Sequence, residues 1–183
     1  MVDTAPYEVL QKFEDIEIRQ YPALIVATVS GAGGDEGFGH LFNYITGNNR
    51  TNHKIAMTAP VITSERVEMT TPVMTSERVD MTAPVLSDSE SMSFVMPRKY
   101  TMETIPEPLD PRVRIQELPA RKVATVRFKG HAREKTVGEE TELLLCEVKK
   151  AGLSIIGRPF LMRYNSPFTP GFMRRNEVGI EIR

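Results

Sequence analysis

Three histidines, His40, His53 and His131, and one cysteine, Cys146, are the residues of this 183-residue chain suited to metal ligation or nucleophilic attack. Their spacing excludes the usual zinc patterns, which need paired Cys or His a few residues apart. No Ser-His-Asp or Cys-His grouping and no assignable carboxylate pair marks an enzyme, so no catalytic residue is expected. His40 is the residue to weigh, because Phe38, Leu41 and Phe42 surround it in sequence. An imidazole beside aromatic side chains suits a ligating group in an apolar setting; the plainer alternative is a solvated helix-flank histidine. His53, in a polar loop, and His131, after Gly130, are expected to be exposed. Cys146 lies near Glu142 and Lys149, towards a polar helix face.

The elements that must position these residues follow from periodicity. Residues 38–45 place Phe38, Leu41, Phe42 and Ile45 on one helical face, with His40 and Tyr44 on a flank. Asp35 and Glu36 suit the helix start, and Gly47 its end. Residues 7–19 alternate imperfectly, as in a half-buried strand with a bulge, and 24–29 is its expected antiparallel partner across the Pro22-Ala23 corner. The segment 21–29 recurs as 118–126: Pro22, Ala23, Val26 and Val29 match Pro119, Ala120, Val123 and Val126 at a constant offset of 97 (119 − 22). Halves of about 7–97 and 112–182 follow within one 1–183 domain, and a ligand is expected where they meet.

Within the first half, residues 54–86 carry Met-Thr-Ala-Pro-Val at Met57 and Met81 and Met-Thr-Thr-Pro-Val at Met69, a period of 12. Three short strands are expected, with an edge or bulge at Pro60, Pro72 and Pro84. Residues 92–96 form another strand, and 101–111, with three prolines, an extended linker. After strands at 113–118 and 123–128, a second amphipathic helix presents Val137, Thr141, Leu144, Leu145 and Val148. Thr136 with Glu139 is its expected capping box and Gly152 its stop. Strands at 160–164 and 178–182 flank a loop. The fold class is α+β: two helices on a curved, mostly antiparallel sheet or distorted barrel.

Hydrophobic residues make up 40% of the chain, enough for a sizeable core, and 23 basic against 24 acidic residues give a net charge of −1. Charges spread along the sequence in this way argue against nucleic acid or an anionic lipid surface as a partner. No apolar run approaches membrane-spanning length, so no membrane insertion is expected. A single cysteine and the absence of a signal-like start suit the cytoplasm.

Several separated motifs occur in order: Lys54-Ile55-Ala56-Met57-Thr58-Ala59-Pro60-Val61, Phe94-Val95-Met96-Pro97, and Tyr164-Asn165-Ser166-Pro167-Phe168 followed by Arg174-Arg175-Asn176-Glu177-Val178. Together they resemble the SOUL, or haem-binding protein, family over residues 7–182. The resemblance implies a duplicated βαββ unit wrapped as a distorted barrel with two helices. It also implies non-covalent binding of haem or another tetrapyrrole, as carrier or buffer, in a groove beside the first helix. Carried over to this sequence, Phe38, Leu41, Phe42, Phe168, Phe172 and Met173 would line that groove, and Arg174 or Arg175 would meet propionates. The family's proposed iron ligand, in an Ile-Arg-His-Tyr segment, is replaced here by Gln20, which leaves packing alone or ligation by His40. Basic helix positions that meet propionates in a relative correspond to His40 and Asn43. Relatives carry one or two Met-Thr-Ala-Pro-Val copies, against three here.

Two further classes of function stay open. The fold implied also resembles GyrI-like effector-binding domains, which would make the chain a sensor or sequestration module for apolar small molecules. A deep acidic residue favours that class, and Glu177 is the residue to check. Alternatively, the repeated arm recruits a protein partner through a strand edge.

Overall fold

The computed structural model describes residues 3–31, 34–51, 53–64, 91–165 and 169–183. The second and third Met-Thr-Ala/Thr-Pro-Val copies, and Phe168, lie outside the described residues.

Chain order is β1 (Asp3–Thr4), β2 (Glu8–Lys12), β3 (Ile16–Tyr21), β4 (Leu24–Ser30), α1 (Gly34–Thr46), β5 (Thr58–Ser64), β6 (Ser91–Val95), β7 (Val113–Leu118), β8 (Arg121–Lys129), α2 (Glu134–Lys150), β9 (Phe160–Arg163) and β10 (Arg175–Ile182). A single 3-10 turn, Gly171–Met173, precedes β10. The strands form one curled sheet in the order β2-β3-β8-β10-β9-β5-β6-β4-β7, with β1 added to β5. Every pairing is antiparallel except β1 with β5. The expected α+β class, two helices on a curved antiparallel sheet, is what the chain adopts.

The pairing of strands differs from the sequence expectation. Residues 7–19 are two strands, β2 and β3, joined by a turn that the Phe13 N–H closes on the Ile16 carbonyl at 2.8 Å. The expected bulge falls in the first of them, between Val9 and Gln11. β4 does not pair with the strand before it: β3 pairs with β8 and β4 with β7. The two Pro-Ala corners therefore carry the chain between partners rather than closing hairpins. Ile18 opposes Ala124 and, at the 97-residue offset (115 − 18 and 124 − 27), Ile115 opposes Ala27. In β5 the register shifts between Thr58 and Val61, so the proline at position 60 sits at a bulge, as its missing N–H requires.

Three apolar clusters fill the molecule. Under α2, Val137, Leu144 and Val148 meet Ala124, Val126 and Phe128 of β8 and Val178 and Ile180 of β10. Under α1, Leu41, Tyr44 and Ile45 meet Ala27 and Val29 of β4, Phe94 of β6 and Val113 of β7. On the other face of the strands, Tyr21, Leu24, Val26, Val95, Val123, Phe160 and Met162 pack together. Alternate residues of β4 and β8 serve the two faces, so both strands read as nearly continuous apolar runs.

Two local expectations are corrected. α2 begins at Glu134 with Arg133 as N-cap and no side-chain cap bond, so Thr136 lies inside the helix instead of opening a capping box. Residues 101–111 are not a free linker: Pro108 bridges Asn49, the Glu107 carbonyl accepts from the Arg50 N–H, and the Pro106 carbonyl accepts from Tyr44. Its prolines serve a segment that packs along α1.

Candidate functional site

α1 carries the surface where aromatic and imidazole groups come together. A Gly-rich stretch precedes it, acidic Asp35 and Glu36 occupy its first turn, and the last turn holds no basic residue. Phe38 and Phe42, four residues apart, stack at 5.7 Å and 16°, and Phe38 meets Phe94 edge-on at 5.4 Å. Phe42 leaves 45% of its surface open to solvent, whereas Leu41 is fully buried and supports the helix from beneath. Asn43 is exposed on the same helix.

His40 stands on the other flank, because two residues along a helix rotate the side chain by about 200°. Its Nδ1 lies 3.0 Å from Asp110 Oδ2. Three hydrogen bonds from Arg112, from its backbone N–H, Nε and Nη2, converge on that carboxylate, and the guanidinium holds Asp110 below the usual carboxylate range. An ionised carboxylate only accepts, so His40 must carry its proton on Nδ1 when neutral, which leaves Nε2 with a lone pair. Nε2 is buried and has no hydrogen-bond partner; the nearest acid, the exposed Glu36, is 3.9 Å away. A carboxylate beside one ring nitrogen while the other has no partner is how ligating histidines are usually oriented, although here Nε2 is enclosed.

The remaining expected groove residues stand elsewhere. The turn Gly171–Met173 packs on β8, where the Gly130 N–H donates to the Arg174 carbonyl at 3.1 Å. Phe172 and Met173 are 78% and 62% exposed there. Arg174 donates from Nε to the Thr169 carbonyl. Arg175 turns inwards, over the Tyr164 ring and onto Glu177 at 2.7 Å. α1 packs on β4, β6 and β7. The expected set is thus distributed over two places, with His40 and the phenylalanine pair on separate flanks of one helix.

Sequence inspection missed the assembly around Glu177. This side chain is fully buried on β10, and Arg19 of β3 reaches it at 2.5 Å, Arg175 at 2.7 Å and Arg127 of β8 at 3.0 Å. The Tyr164 hydroxyl donates to it at 2.8 Å. Arg19, itself 1% exposed, also binds Glu17 at 2.6 Å and lies over the Tyr7 ring. Burial disfavours the charged form of Glu177, yet the guanidinium of Arg19, with Arg175 and Tyr164, holds its pKa down to about 2. The deep acid therefore has its charge already matched. The signal in the sequence was the resemblance to effector-binding domains, which singled out Glu177 without naming its partners; β3 and β10 each carry several polar residues, so the strand patterns alone do not mark the pair.

Where the central strands meet, only a void of about 10 Å³ remains, among Ala5, Tyr21, Leu24, Val95, Phe160 and Met162. That is room for roughly one water molecule. On the far side of Leu24 an open cleft of about 520 Å³ is lined by Pro22, Met96, Pro97, Tyr100 and Met102. Its volume falls in the range of small-molecule sites.

A family model described as SOUL heme-binding protein matches residues 2–181. No curated protein matches the chain. Among solved structures, the C-terminal domain of EcmrR is similar at a TM-score of 0.59 and 12% identity, over 97% of this chain and 98% of that one. An uncharacterized conserved protein from Listeria innocua gives a TM-score of 0.58 at 11% identity, over 92% of each chain. A hydrolase from Listeria innocua gives 0.57 at 9% identity, over 95% of this chain and 94% of that one. At these identities the likenesses show a shared fold. Among the described residues no helix is long and apolar enough to cross a membrane.

Proposed function

The chain belongs to the SOUL heme-binding protein family, and on that premise we propose that it binds haem or a related tetrapyrrole at α1, as carrier or buffer. The observation that carries this is the stacked Phe38–Phe42 pair, with Phe42 half open to solvent on a helix firmly seated on the sheet. A flat apolar macrocycle gains most from a flat apolar surface that is already ordered, since little side-chain entropy is lost on binding. The tetrapyrrole is cargo in this account, and Gln20 leaves the iron without the family's proposed ligand.

His40 supports a variant in which iron is coordinated. Its Nε2 has a lone pair and no partner, and Asp110 fixes the ring. Coordination there places the macrocycle on the Asp110 flank, so it excludes stacking on Phe42.

Small-molecule sequestration is the second reading, and the 520 Å³ cleft favours it. Glu177 lends it no support as a cation receptor, because three guanidiniums already hold that carboxylate. An interaction role for the repeated arm depends mainly on residues outside those described.

The test is an NMR titration of labelled protein with protoporphyrin IX. Shifts concentrated on 36–46 and 92–96 are expected. Shifts confined to 96–103 and 22–25 would move the ligand to the cleft and overturn the α1 assignment.

A further inference from the structure

We propose that the turn at Gly171–Met173 docks the protein reversibly onto an anionic phospholipid surface, with Phe172 and Met173 entering the interface and a cationic collar meeting the headgroups. Phe172 and Met173 are the most exposed large apolar side chains among the described residues, at 78% and 62%, and they are adjacent. Scattered apolar residues on a surface need no explanation, but two neighbours projecting from one tight turn form a wedge. Among the described residues, β8 and β10 beside the turn are each paired on both sides, so neither offers it a free strand edge.

The wedge is held firmly. The Met173 N–H donates to the Pro170 carbonyl at 2.9 Å, and the Arg174 N–H to the Gly171 carbonyl at 3.1 Å. The His131 ring lies against Gly171 so closely that an added Cβ would stand 2.1 Å from Nε2. Gly130, between His131 and the end of β8, is tied to both Arg174 and Asn176.

The charge around this wedge is one-sided although the whole chain is balanced. The two stretches that meet here, 129–135 and 169–175, carry Lys129, Arg133, Lys135, Arg174 and Arg175 against a single acid, Glu134. Arg175 is drawn inwards by Glu177, and Lys135 lies 3.8 Å from Glu139. Lys129 and Arg133 are exposed. An apolar tip within a basic rim is the composition that binds membrane surfaces without spanning them, and its attraction to anionic lipid falls as salt screens it. The basic cluster is invisible in the sequence because β8 and β10 bring its two stretches together from about 40 residues apart.

The proposal is independent of tetrapyrrole binding. It is tested by cosedimentation with vesicles of pure phosphatidylcholine and of equimolar phosphatidylcholine and phosphatidylserine. The full chain should sediment with the mixed vesicles and be released by salt. The pair Phe172→Ser with Met173→Ser should weaken partitioning about tenfold or more, the effect of removing two buried apolar side chains from the interface. Lys129→Glu with Arg133→Glu should abolish the preference for phosphatidylserine. These side chains are exposed, so thermal melting serves as the control for folding. Failure of the full chain to sediment with mixed vesicles would overturn the proposal. So would sedimentation unchanged by the Phe172/Met173 substitutions, or equal sedimentation with both vesicle types. Haemin binding retained by a variant that no longer sediments identifies the two surfaces as separate.

Discussion

Glu177 draws its partners from three strands, and its ionisation is coupled to their assembly. Burial raises the cost of its charge, but Arg19, Arg175 and Tyr164 outweigh that cost and hold its pKa at about 2. The unfolded chain would titrate this group near 4.3, so the folded state binds its proton less tightly. A depressed folded pKa contributes stability that is present above the unfolded value and is lost as pH falls towards about 2. Denaturant midpoints should therefore drop between about pH 5 and pH 2, and Glu177→Gln should flatten much of that slope. The same substitution leaves buried Arg19 with Glu17 as its remaining anion and removes the charge shared with Arg127 and Arg175, and at neutral pH a loss of about 3–5 kcal/mol is expected in urea unfolding. A loss below about 1 kcal/mol would mean that Arg127, Arg175 and Glu17 redistribute to satisfy the site. Glu177 was singled out by the resemblance to effector-binding domains, since β10 also carries Arg175, Asn176 and Glu181 and its composition alone does not mark one buried acid. Its neutralisation was not legible, because Arg19 lies 158 residues away and reaches it only through the β3–β8–β10 order.

The elements show where periodicity suffices and where it does not. Both helices, the strand cores and the exposed setting of His53, His131 and Cys146 follow from spacing and polarity. Partner choice does not: β4 carries the same alternation whether it pairs with β3 or β7, and only the course of the chain after Pro22-Ala23 decides. The segment after β6 illustrates a second failure of local reasoning. Three prolines suggested a linker, yet Tyr44 donates to the Pro106 carbonyl at 2.7 Å and His40 meets Asp110. Tyr44→Phe should cost about 1–3 kcal/mol in thermal or urea unfolding, because the buried carbonyl loses its donor. A neutral result would mean that the segment is not fixed to α1 by this bond. At β10, a Cβ on Gly179 would lie 2.9 Å from the ring of Phe160, its cross-strand partner on β9. Gly179→Ala should therefore destabilise by about 1–3 kcal/mol, and Gly179→Ala with Phe160→Leu should recover part of the loss.

At the scale of the whole molecule, one sheet carries surfaces of different character. α1 offers a stacked aromatic pair and, on its other flank, an oriented imidazole. The turn before β10 offers an apolar wedge among cations, while the interior holds the charge cluster around Glu177 and, among the central strands, a void of about 10 Å³. The motifs in the sequence identified the family and pointed to α1 as the expected binding element. They did not separate His40 from Phe42, which lie two residues apart in sequence but diverge around the helix. Tetrapyrrole binding at α1 is most directly tested by titrating haemin into the full chain, Phe42→Ala and His40→Ala, following the Soret band to saturation. Saturable one-to-one binding is expected for the full chain and for His40→Ala, with affinity lowered about tenfold by Phe42→Ala as stacking is lost. Loss of the shifted band in His40→Ala, with Phe42→Ala unaffected, would transfer the site to the Asp110 flank; a non-saturating response from the full chain would contradict the account altogether.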